Sequence, residues 1–106
     1  MNSGERRALR HYRLRGYRLL GANVRAGSYE LDLVLRRGRR LVVAEVKEKG
    51  GSGFGEPLEM IDREKVQHVK TATRIWLAEN PGASELELRI EAVGVSGRRV
   101  ERVPLE

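Results

Sequence analysis

Four residues that carry charge at neutral pH stand inside two runs otherwise suited to a β-sheet. Glu30 and Asp32 lie in the run Tyr29 to Leu35, and Glu45 and Lys47 lie in the run Leu41 to Lys47. Both runs are rich in Leu and Val and are bounded by turn residues, the mark of strands. Strand side chains alternate between faces, so Glu30 and Asp32 are expected on one face and Glu45 and Lys47 on one face. Leu31, Leu33 and Leu35, with Val42, Ala44 and Val46, then form the opposite apolar faces. Gly38-Arg39 suits the two central positions of a type II′ hairpin, which sets Asp32 opposite Glu45 and Glu30 opposite Lys47. Directly opposed residues have Cβ atoms about 4.5–5.5 Å apart. Two carboxylates that close repel, and a divalent cation between them removes the repulsion, since Mg²⁺ is commonly held by one or two carboxylates plus water. The alternative is a solvated sheet face with a cross-strand salt bridge. The neighbouring Val34, Leu41 and Val43 point to partial burial, where charges need partners or a metal.

Those strands must be held by a small body. The chain has 106 residues, 40% hydrophobic and 34% charged, which suits one globular domain spanning 1–106. With no cysteine, disulfides, thiolate metal sites and cysteine nucleophiles are excluded. The two histidines, His11 and His68, match no zinc spacing. No run of 18 apolar residues and no signal-peptide pattern is present, so a cytoplasmic protein without a membrane partner is expected. Seventeen of the 21 basic residues are Arg, and residues 1–40 carry a net charge of +8 against −2 for the remainder. That asymmetry suggests a face for a polyanion, with nucleic acid preferred over a merely arginine-rich surface.

Residues 4–15 read as a helix that Asn2 or Ser3 can cap, and Asn2 with Glu5 resembles a capping box. Arg6, Arg10 and Arg13 fall within an arc of about 60° on the helical wheel, while Ala8, Leu9 and Tyr12 face the core. Glu5 lies in that apolar arc, either as a cap or aimed at the strand cluster. Tyr17 to Arg25 reads as the first strand, with Tyr17, Leu19 and Leu20 buried and a bend near Gly21. The glycine-rich stretch 50–55 reads either as a flap beside the charged cluster or as a linker, and it lacks the ending of a nucleotide-binding loop. Residues 63–79 read as a helix capped by Asp62, with Val66, Val69, Thr73 and Trp76 as its core stripe and Lys65 in its first turns. Leu86 to Val95 and Val100 to Leu105 read as the last strands. The predicted architecture is α/β, a mixed central sheet of about five strands with a helix on each side.

Asp32 followed by Glu45-Val46-Lys47 in the next strand resembles the core of PD-(D/E)xK nucleases. The chain from residue 4 to about 80 more closely resembles the YraN-like family of small bacterial proteins, related to Holliday-junction resolvases. The likeness rests on Gly4-Glu5 with Ala8, Gly16-Tyr17 with Leu20, Asn23-Val24-Arg25, Glu30-Leu31-Asp32-Leu33, Glu45-Val46-Lys47, Phe54-Gly55 with Pro57, and Lys65. Tyr29 departs from the family's usual Gly. Glu48-Lys49 departs from its Thr-Arg and adds a negative charge beside the expected site. The resemblance implies a restriction-endonuclease-like fold and a metal-dependent endonuclease acting on DNA, with branched DNA preferred and a homodimer suggested. Asp32 and Glu45, with the Val46 carbonyl, would hold Mg²⁺ or Mn²⁺. Lys47 would serve catalysis, with Glu5 and Glu30 as outer or second-metal groups. Arg6, Arg10, Arg13, Arg25 and Lys65 would bind nucleic acid. A non-catalytic nucleic-acid-binding protein on the same fold is the alternative.

Overall fold

The computed structural model describes residues 1–49 and 61–105. Helix α1 (Ser3–Arg13) leads to strands β1 (Arg18–Ala26), β2 (Tyr29–Arg37) and β3 (Arg40–Lys49). Helix α2 (Arg63–Glu79) and a 3₁₀ turn at Pro81–Ala83 follow, then β4 (Glu87–Ser96) and β5 (Arg99–Pro104). The glycine-rich stretch 50–55, with Phe54, Gly55 and Pro57, lies outside the described residues.

The five strands form one sheet in sequence order, antiparallel except for the parallel pairing of β3 with β4. A parallel pair needs a long crossover, and α2 lies in it. Ala8, Leu9 and Tyr12 of α1 pack with Leu33, Leu35, Val42, Ala44, Val93 and Val95. Val69, Ala72 and Trp76 of α2 pack with Leu31, Val34, Leu41, Val43 and Ile90. The sheet is thus mixed, with one helix on each face, as expected, and the arrangement is consistent with a nuclease-like fold. β3 is the central strand.

Both helices begin where side-chain chemistry sets them. The Asn2 side chain accepts from the Glu5 N–H at 2.8 Å and the Glu5 carboxylate accepts from the Asn2 N–H at 3.0 Å. Asp62 caps α2 through the Lys65 N–H at 2.8 Å. The hairpin register is also as read: Arg37 pairs with Arg40 and Leu33 with Ala44, around Gly38 at φ 58°.

The structure corrects three details. Leu20 is not buried; it is 41% exposed on edge strand β1. Leu31 does not share a face with Leu33 and Leu35, because it joins the cluster under α2 while they join the one under α1. Alternation fails at Asp32, where the β1–β2 pairing passes from Ala22↔Leu33 to Val24↔Leu31. Asn23, between those β1 positions, has a left-handed φ of 50°, a conformation Asn tolerates better than most residues. Finally, Asp32 and Glu45 are not a ladder pair, since the hydrogen-bonded register of β2 with β3 ends at Leu33↔Ala44. Beyond it the Asp32 carboxylate itself accepts the Val46 N–H at 2.8 Å.

Candidate metal centre

β3 follows β4 along its whole length but leaves β2 at Asp32. The gap that opens is filled by side chains. Glu45 shares the α2 side of β3 with Leu41 and Val43 and is 2% exposed. Its Oε1 lies 3.0 Å from the Lys65 Nζ of α2. Its Oε2 is buried and accepts no hydrogen bond among the described residues. Such an atom costs about 1–3 kcal/mol when left unsatisfied, more when charged.

Asp32 meets Glu45 across this gap. Burial, then the negative charge of Glu45, pushes the Asp32 carboxyl up from 3.8 to about 7; the Val46 N–H opposes the rise and the Glu5 charge adds to it. On Lys65, burial works to remove the proton, but the Glu45 hydrogen bond and the charges of Glu45, Asp32 and Glu30 outweigh it and hold the ammonium above its usual value. The carboxylates therefore converge, with a cation already beside them. Tyr29 stacks on His68 at 4.5 Å between ring centroids, which ties the start of β2 to the α2 turn following Lys65.

Glu5 approaches from the other side of the sheet. It is buried at 5% exposure, and its two roles prove compatible: one oxygen closes the α1 cap while Oε2 accepts from the Asn23 amide at 3.1 Å. The same amide lies 3.5 Å from Glu30 Oε1, a weak contact. Glu30 is exposed. Lys47 is half-buried two positions after Glu45 and has no ion pair among the described residues. Arg6, Arg10, Arg13 and Arg25 are all exposed, the first three on α1 and the last on β1. Glu48, expected beside the site, instead lies on α1: it pairs with Arg7 at 3.4 Å and accepts from the Ser3 hydroxyl at 3.2 Å. One position of strand alternation separates it from the face that carries Glu45.

Two contributors escaped the sequence reading. Asn23 orders two carboxylates, and the signal for it is an Asn placed inside a strand. The Lys65–Glu45 pair is the other; no local pattern links a helix lysine to a strand 20 residues earlier.

The donor set fits a hard dication. Carboxylate oxygens are its preferred ligands, and one or two protein carboxylates suffice for Mg²⁺ when water and phosphate complete the shell. The unsatisfied Glu45 Oε2 and the raised Asp32 carboxyl are the groups such an ion would relieve. Among the described residues no three His, Cys, Asp or Glu side chains converge on one point. Among the described residues no helix is long and apolar enough to cross a membrane.

Residues 4–95 match the family described as Uncharacterised protein family UPF0102. The chain is 43% identical over 77 residues to a UPF0102 protein of Acidothermus cellulolyticus, covering 73% of this chain and 58% of that relative. It is 39% identical to relatives from Frankia alni, over 97% of this chain and 85% of that one, and from Thermus thermophilus, over 96% and 91%. The chain belongs to the UPF0102, or YraN, family.

Proposed function

We propose that this UPF0102 protein is a metal-dependent endonuclease that hydrolyses phosphodiester bonds in DNA, with branched or structured DNA as its substrate. The observation that carries the reading is the convergence of Asp32 and Glu45 where β2 and β3 part, with one Glu45 oxygen buried and unsatisfied. Asp32 and Glu45, with the Val46 carbonyl, would hold Mg²⁺ or Mn²⁺. Such an ion lowers the pKa of a bound water and polarises the phosphate. Lys47, on the Glu45 face and free of ion pairs among the described residues, neutralises charge that builds on phosphate oxygens, the electrostatic contribution that is usually largest. Lys65 compensates Glu45 and is released toward phosphate when a dication takes over that task. Glu5 and Glu30 orient the site through Asn23. Arg6, Arg10 and Arg13, on the α1 side of the sheet, and Arg25 contact nucleic-acid backbone, which positions substrate without reading sequence.

Asp32→Ala and Glu45→Ala are the test. Each is expected to abolish Mg²⁺- or Mn²⁺-dependent cleavage of a four-way junction while DNA binding persists; cleavage that survives either change refutes the assignment. A second reading, a non-catalytic nucleic-acid-binding protein, is favoured by one feature: Lys65 already neutralises Glu45 at 3.0 Å without a metal. It expects salt-sensitive binding and no cleavage with either ion.

A further inference from the structure

A groove of about 790 Å³ runs between α1 and the β4–β5 turn, lined by Arg7, Arg10, His11, Leu14, Arg15 and Arg98 among others, with no carboxylate in its walls among the described residues. Beside it, Arg102 pairs with Glu91 and Arg99 with Glu101. In the groove Arg10, Arg15 and Arg98 have no ion pair among the described residues. Arg15 donates to the His11 carbonyl at 2.9 Å and Arg7 to the Gly97 carbonyl at 2.6 Å. Both contacts orient a guanidinium and leave its charge uncompensated, save for the 3.4 Å approach of Arg7 to Glu48. Burial, then the charges of Arg15 and Arg102, holds His11 below its usual pKa, against the opposing charge of Glu91. Leu14 stands in the same groove at 74% exposure, an apolar surface for a sugar ring.

The position of the groove decides what it is for. It lies under α1, whereas Glu45 and Lys65 lie on the α2 side, with the sheet between them. Yet the end of the groove formed by Arg7 and Arg98 reaches the same end of the sheet. Glu48, the partner of Arg7, is three residues beyond Glu45, about 10 Å along the strand, and Lys49 pairs with Ser96 just before the turn that carries Arg98. A linear backbone seated over the carboxylates would have to turn round the sheet end to enter the groove. A branched molecule presents a second backbone there without bending.

We propose that this groove holds the phosphate backbone of a second nucleic-acid segment, so that a two-armed substrate is bound more tightly than a linear one. The identity of the ligand rests on the endonuclease reading, but the test does not require cleavage. Binding of a labelled four-way junction and of a short linear duplex is measured by fluorescence anisotropy in EDTA, for the wild type, Arg15→Gln/Arg98→Gln, and Arg98→Glu alone. Arg98 is exposed in a turn and makes no side-chain bond among the described residues, so the single variant covers a folding failure of the double. The double variant is expected to lose roughly tenfold in junction affinity, with the slope of log K against log salt shallower by about one to two, since each phosphate contact contributes about 0.9. The linear duplex is expected to change by no more than about twofold. Unchanged junction binding in both variants overturns the groove; equal losses for junction and duplex overturn the second-segment assignment, as does equally groove-dependent binding to phosphatidylserine vesicles. Failure of the endonuclease reading gives a different pattern: no cleavage by the wild type with either dication.

Discussion

Asp32→Asn should stabilise the metal-free protein above pH 7, the reverse of what most substitutions at half-buried polar positions do. Asparagine keeps the shape and an oxygen for the Val46 N–H that Asp32 accepts at 2.8 Å, but removes the charge that faces Glu45. Raising a carboxyl from 3.8 to about 7 corresponds to roughly 4 kcal/mol of folding free energy at alkaline pH. Lys65 offsets part of the repulsion between the two carboxylates, so about half of that, ~2 kcal/mol, is expected to appear in the variant. For a domain of this size that is a rise in Tm of about 8 °C. The sign follows from proton counting. The folded chain keeps a proton on Asp32 that the unfolded chain releases between about pH 4 and pH 7, so the native state loses stability as pH rises through that window. Wild type and variant should therefore melt together near pH 4 and diverge up to pH 7, with a constant gap beyond. Thermal unfolding in EDTA across pH 4–8.5 measures this. Mn²⁺ at a hundredfold excess over its Kd should raise the wild type by about 2.7 kcal/mol and leave Asp32→Asn nearly unmoved, which closes the gap. A variant less stable than wild type at pH 8, or a gap that does not change with pH, would refute the convergence of charge on which the site is built.

Lys65→Met should destabilise the metal-free protein by about 1–2 kcal/mol, because it strips a half-exposed partner from the buried Glu45 carboxylate. Mn²⁺ should restore most of that loss, and denaturant unfolding with and without the ion reads both effects. Gly4→Ala should cost about 1–3 kcal/mol, since a Cβ there would lie 2.8 Å from the Glu48 Cβ; a fall in Tm with unchanged metal response is expected. Tyr12→Phe should cost about 1 kcal/mol, as the hydroxyl donates to Glu91 Oε1 at 2.7 Å, and urea unfolding at neutral pH checks it.

What could be read from the chain was whatever is local. The Asn2 and Asp62 caps, the span of α2 and the hairpin around Gly38 each depend on residues within four positions of one another, and each came out as read. The helix–strand order with a crossover of sufficient length then left few sheet arrangements open. The departures arise where a contact spans the sheet. Leu31 changes sides because Asn23, eight residues earlier, bends β1 opposite Asp32. Glu48 joins α1 because Gly4 lets the two backbones approach, a pairing 44 residues apart that no spacing rule encodes.

The site itself has the same division. Asp32 and Glu45 are legible because a charged residue amid Leu and Val in two consecutive strands must find a partner. Their immediate surroundings are tertiary: Glu5 arrives from α1 and Lys65 from α2, from opposite faces of one sheet, and they meet the carboxylates only because β2 and β3 separate there. That separation has a cause in the sequence. A ladder that continued past Leu33 and Ala44 would press two carboxylates together with their charges unrelieved. By ending the ladder and giving the Val46 N–H to the Asp32 side chain, the fold satisfies a backbone donor while opening space at the Glu45 Oε2. The aspartate thus has two tasks, terminating a strand pair and lining the gap that results. Asp32→Ala must therefore weaken the sheet as well as the site, whereas Asp32→Asn separates the two tasks and is the sharper probe of the charge alone.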